Sequence, residues 1–128
     1  MMAACAQTKG NPFLEEWDTP YGIPPFEKIQ LTDYIPAVKA GIEEQNKELE
    51  AILGNQEAPT FENTVAAYEL SGRTLTKTTA VLFNLQETEG SDEMNKVVEE
   101  ATALMTEHED NISMNKAFFE RVKAVYDA

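Results

Sequence analysis

An all-α fold, an antiparallel bundle of about four helices preceded by an extended strap, is predicted by three observations. Apolar residues recur at three- and four-residue steps from Ile35 onward, helix caps and stops interrupt that pattern, and prolines 12, 20, 24 and 25 all precede it. Proline fixes φ and biases the preceding residue away from the α region, so residues 11–31 read as extended rather than helical. That strap also carries Phe13, Trp17, Tyr21 and Phe26. Rings in an irregular segment must lie on some surface, and Trp17, Tyr21 and Phe26 are the candidates for packing against a second domain.

The helices follow in order. Thr32 is the expected cap of the first, with Pro36 in the first turn, where a missing N–H costs nothing. Ile35, Val38, Ile42, Leu49, Ile52 and Leu53 keep one face apolar, Glu43 and Lys47 pair on the other, and Gly54-Asn55 ends the helix. Thr60 caps the second before Phe61. Ser71-Gly72 could stop it, but Phe61, Val65, Tyr68, Gly72, Leu75, Thr79 and Leu82 continue in phase, which predicts one long helix from Phe61 to Gln86 or Glu87. Gly72 then lies on the buried stripe, where its small size admits a neighbouring backbone. Ser91 caps the third helix, with Asp92 and Glu93 favoured by the first-turn dipole. Its apolar face is Met94, Val97, Val98, Ala101, Leu104, Met105, His108 and Ile112. The fourth starts at Asn115, presents Phe118, Phe119, Val122, Val125 and Tyr126, and reaches Ala128 with no stop signal. The helical domain of residues 32–128 is therefore expected to be incomplete at its C-terminal end, with an exposed apolar face or self-association through it.

Composition narrows the function. The 128 residues suit one domain, and 42% hydrophobic with 26% charged residues is ordinary for a globular chain. The net charge of −13 is not, and with no Lys/Arg cluster to offset it a nucleic-acid partner is excluded. Glu43, Glu44, Glu48, Glu50, Glu99, Glu100, Glu107 and Glu109 read as solvated helix faces. No run approaches the roughly 18 apolar residues of a membrane span. The single cysteine, Cys5, rules out an internal disulfide. Met2-Ala3-Ala4-Cys5 looks like the end of a bacterial lipoprotein signal, which makes residues 1–10 a tail or signal remnant, although the apolar stretch of about 7–15 residues that should precede it is missing.

The sequence presents no recognisable catalytic, cofactor-binding or metal-binding residue. His108 is flanked by Glu107, Glu109 and Asp110, but the positions sharing its helix face are Leu104, Met105, Asn111 and Ile112, none a strong ligand. The second histidine of H-E-x-x-H is absent, so His108 is expected to be structural and hydrogen-bonded under the apolar stripe. Ser71-Gly72-Arg73 is not a nucleophile elbow, and Gly10, Gly22, Gly41, Gly54, Gly72 and Gly90 form no phosphate loop. Glu62 and Asn63 read as first-turn residues of a helix rather than a catalytic pair.

Five phrases carry a resemblance. Asn11-Pro12-Phe13-Leu14-Glu15-Glu16-Trp17, Thr19-Pro20-Tyr21-Gly22-Ile23-Pro24-Pro25-Phe26, Ala58-Pro59-Thr60-Phe61-Glu62-Asn63-Thr64, Leu82-Phe83-Asn84-Leu85 and Phe118-Phe119-Glu120-Arg121-Val122-Lys123-Ala124-Val125-Tyr126-Asp127 resemble, in this order and spacing, the N-terminal region of bacterial peptidyl-dipeptidases of the thimet oligopeptidase family. The resemblance implies a larger helical zinc metallopeptidase of two lobes flanking a channel, which removes C-terminal dipeptides from short peptides. Its zinc-holding residues lie outside the matched region, and none is carried onto this chain. The segment would brace and wall the channel, with the remainder of the peptidase chain as partner, in the bacterial cytoplasm or periplasm. The alternative is a free-standing acidic helical module that holds a protein partner, lipid-anchored to the cell envelope through Cys5.

Overall fold

Among the described residues four helices of more than ten residues carry the fold; two of them, and a short π-helical segment, begin at the cap that the sequence offers. The computed structural model describes residues 10–128; the Met1–Lys9 tail, with Cys5 and the lipoprotein-like motif, lies outside them. Helix α1 spans Tyr34–Leu53, α3 Arg73–Glu89, α4 Asp92–Ser113 and α5 Lys116–Asp127, while α2 is a single turn, Ala67–Glu69, that continues a π-helical segment over Phe61–Ala66. Thr60 Oγ1 accepts from Asn63 N–H at 3.1 Å, Ser91 Oγ from Met94 N–H at 3.1 Å and Asn115 Oδ1 from Phe118 N–H at 3.0 Å. Each side chain satisfies a donor that the first helical turn leaves open.

The first helix does not begin at its expected cap. Thr32 does not cap it; the chain enters through a 3₁₀ turn, Leu31–Asp33, boxed by Gln30 N–H donating to Asp33 Oδ2 at 2.7 Å. Pro36 still falls in the opening turn of α1, as its missing donor requires.

The long second helix is broken. Leu70–Gly72 leave the helix, and Gly72 adopts φ +71°, left-handed geometry open to glycine at little cost. Tertiary contacts override the sequence periodicity here: Gln45 Nε2 of α1 donates to Ser71 Oγ at 3.0 Å, and Gly72 N–H donates to Glu48 Oε1 at 3.2 Å. A Cβ on Gly72 would stand 2.8 Å from Gln45 Nε2, so what approaches the small residue is a side chain and not the neighbouring backbone expected from its place on the stripe. Before the break the stripe fails: Phe61 is 58% exposed and Thr64 is buried in its place. After it, Leu75, Thr79 and Leu82 are buried as the spacing predicts.

Gly41 meets the Leu75 backbone while Gln45, one turn later, meets Ser71, so α1 and α3 run antiparallel. Gln86 Nε2 bonds Asn95 Oδ1 across the α3–α4 connection at 3.2 Å, and α4 returns alongside α1. The core between these three helices comprises Tyr34, Ala37, Val38, Leu75, Val81, Leu82, Met94, Val98 and Ala101, with Phe13 of the strap.

The strap is a string of short turns rather than a plain extended segment. Pro12–Leu14, Pro20–Gly22, Phe26–Lys28 and Leu31–Asp33 are 3₁₀ turns joined by extended residues such as Glu15 and Gln30. Trp17 packs on this chain's own helices, which corrects its assignment to a second domain. Its Nε1–H donates to Pro12 O at 2.9 Å, and Lys77 Nζ of α3 stands 4.6 Å from its ring centroid. Tyr21, fully exposed, and Phe26, 49% exposed, remain open.

Candidate functional site

Two polar constructions stand apart from the apolar core. The first joins three segments around the break: His108 Nε2 lies 2.7 Å from Gln45 Oε1, whose amide nitrogen reaches Ser71. Because Gln45 spends its N–H on Ser71, its oxygen accepts, and His108 Nε2 carries the proton. His108 is 4% exposed, as expected of a histidine under the apolar stripe, but its partner comes from α1, which periodicity on its own helix could not indicate. A pocket of about 170 Å³ borders it, lined in part by Tyr68, Thr76, Thr79 and Glu109.

Burial holds the His108 proton affinity below its ordinary 6.5, against a smaller opposing pull from Glu109. The unfolded chain therefore takes up that proton more readily than the folded one. Stability contributed by neutral His108 is present above pH 6.5 and is lost as pH falls from there toward the depressed folded-state value. Urea midpoints measured from pH 7.5 to pH 5.5 are expected to decline, and His108→Gln should flatten that decline. A slope unchanged in the variant would assign the acid sensitivity to other groups.

The second construction is built on Thr60-Phe61-Glu62-Asn63-Thr64. Asn63 Oδ1 accepts from Thr60 N–H and Thr64 Oγ1–H, both at 2.8 Å, and its Nδ2–H donates to Ala58 O at 3.0 Å. Arg121 of α5 enters this knot with Nε on Thr64 Oγ1 at 3.1 Å, Nη1 on Asn55 O at 3.2 Å, and Nη2 3.4 Å from both Glu57 O and Asn63 Oδ1. Phe118 stacks beside it, its ring 5.0 Å from that of Tyr68. Phe61 and Glu62 point outward. Arg121→Ala removes the fork that holds α5, and each lost bond is worth on the order of 1 kcal/mol. Hydrogen exchange is expected to show α5 amides losing at least tenfold protection while α3 and α4 keep theirs. Arg121→Lys should not restore it, since an ammonium lacks the planar donor set.

Neither construction fits zinc. Among the described residues no group of three or more His, Cys, Asp or Glu side chains is placed to hold a metal ion, and the neighbour facing His108 is a neutral amide. Among them, too, no helix is long and apolar enough to cross a membrane.

The sequence is 36% identical over 119 residues to "Dipeptidyl carboxypeptidase" of Escherichia coli strain K12. The chain is homologous to dipeptidyl carboxypeptidases. A second such protein, from Salmonella typhimurium, is 35% identical over 116 residues. These alignments cover 93% and 91% of this chain but span only 18% and 17% of the two dipeptidyl carboxypeptidases. No family model matches the chain. Over that shared stretch, Thr60, Asn63, Thr64 and Arg121 have an architectural explanation, while Phe61, Glu62, Tyr21 and Phe26 make no comparable use of this chain's interior.

Proposed function

We propose that this chain is the noncatalytic N-terminal helical region of a zinc-dependent peptidyl-dipeptidase, and that it braces and walls the channel in which short peptides lose C-terminal dipeptides. The observation that carries this reading is the likeness over nearly the whole chain to a small fraction of two proteins named dipeptidyl carboxypeptidase. The side chains support a structural role: the best-connected polar groups, Gln45, His108, Asn63 and Arg121, join one backbone segment to another, and none forms a nucleophile–base pair. The metal and the bond-breaking groups would come from residues beyond these 128. A wall of packed helices excludes water and bulky chains, which is how a segment without reactive groups contributes to hydrolysis elsewhere.

The test is to extend the gene past Ala128, look for H-E-x-x-H, and assay the full-length protein for chelator-sensitive release of C-terminal dipeptides. The 128-residue chain should release none. A full-length protein with neither the motif nor the activity would favour a free-standing acidic binding module.

A further inference from the structure

Helix α5 is the most strongly two-faced helix of the chain, yet none of its 12 residues is buried. A helix of that length is marginal in water unless one face is packed. One flank is packed, through Phe118 on Tyr68 and the Arg121 fork. The other is not: Phe119, Val122 and Tyr126 follow at helical spacing, with Phe119 64% and Tyr126 81% exposed. Phe119 and Val122 join Tyr68, Ile112, Ser113 and Phe118 around a groove of about 350 Å³. Met114, next to that groove, is also exposed. Large apolar side chains clustered around a groove mark an interaction surface rather than ordinary protein exterior.

We propose that this groove seats a helical segment of the same parent polypeptide, from outside these 128 residues, whose apolar face is bordered by carboxylates. The inference rests on the peptidase reading above. Two observations favour this occupant over a second copy. The chain accounts for 18% of the length of the Escherichia coli relative, so most of such a polypeptide is available to cover the groove. Charge points the same way. Two copies would each bring −13, whereas α5 carries three basic and two acidic residues, the reverse of α4 with its seven acidic and one basic. Lys116 and Lys123, both exposed, border the apolar stripe. Their present pairs, Glu120 at 3.8 Å and Asp127 at 3.9 Å on the same helix, are long, exposed contacts of the kind worth little, so both ammonium groups can turn to carboxylates of an occupant. A tethered segment meets this surface at a high effective concentration, which a separate molecule does not.

Hydroxyl-radical footprinting of the natural full-length polypeptide tests this without substitution. Oxidation of Phe119 and Tyr126 is expected to be at least tenfold slower in the native protein than in the urea-unfolded one, at every protein concentration. Lys116→Glu with Lys123→Glu should reduce that protection at least threefold. Rates within twofold of the unfolded chain would overturn the proposal, and protection that vanishes on dilution would assign the groove to a second copy and overturn it too. Protection indifferent to the lysine reversals would overturn the carboxylate-bordered occupant. Dipeptide release measured on the same preparation separates the two readings: an active enzyme with unprotected Phe119 keeps the peptidase assignment and discards the docking site.

Discussion

Phe13→Ala is expected to lower the unfolding free energy by about 3–5 kcal/mol, the range for removing a fully buried aromatic side chain. Phe13 has no exposed surface, and its ring centroid lies 5.2 Å from Tyr34 and 6.3 Å from Trp17. Its backbone is fixed as well, since Asn11 Oδ1 accepts from Phe13 N–H at 3.1 Å and Asn11 Nδ2–H donates to Asp33 O at 2.9 Å. The strap therefore cannot slide to refill the cavity. Single domains have about 5–15 kcal/mol in total, so the variant should unfold at a much lower urea concentration. Trp17 is the chain's one tryptophan and sits on the strap. Its emission should change together with the loss of helical circular dichroism, because Phe13 belongs to the same core as the helices. Emission that shifts well before the helices melt would show the strap to be an independent appendage.

Gly41→Ala should destabilise by about 1–3 kcal/mol, the usual cost of overpacking, although alanine is the better helix former by about 1 kcal/mol. The sign is decided by what the new methyl group meets. A Cβ on Gly41 would stand 2.8 Å from Leu75 N and 2.9 Å from Leu75 Cα, and these backbone atoms cannot rotate aside. α1 and α3 would have to separate along the seam that holds Val38, Leu75 and Leu82. Gly41→Val should cost more again. Urea denaturation of the two variants gives the order directly, and an alanine variant as stable as the parent would mean that the crossing is looser than its distances imply.

Much of this fold was legible because local chemistry fixed it. Thr60, Ser91 and Asn115 cap the helices for which they were expected, since a side-chain oxygen next to open N–H groups needs no distant partner. The apolar face of α4 was readable for the same reason. What could not be read depended on another segment. Gly72 stands in phase with a continuous helix, and only Gln45 and Glu48, 24 to 26 residues earlier, make a left-handed break there favourable. Trp17 looked available to a second domain because Lys77, its cation partner, lies far along the chain. Thr32 lost its role as cap to Gln30 and Asp33, which close a 3₁₀ turn over the same residues. The candidate site followed this division: His108 was recognisable as a structural histidine, whereas nothing near Arg121 in sequence indicates the four partners that it gathers.

The tip of the strap has a further consequence. Tyr21 and Gly22 both take positive φ, 61° and 67°, with Ile23 N–H donating back to Pro20 O at 3.3 Å, a mirror-image turn that holds a fully exposed ring away from the fold. On one side of this turn Phe13 and Trp17 are anchored in the helices, and on the other Ile29, Leu31 and Tyr34 are anchored separately. A protease that cleaves at Tyr21 would thus sever the peptide without releasing either half, leaving a nicked but assembled molecule whose two pieces part only in denaturant.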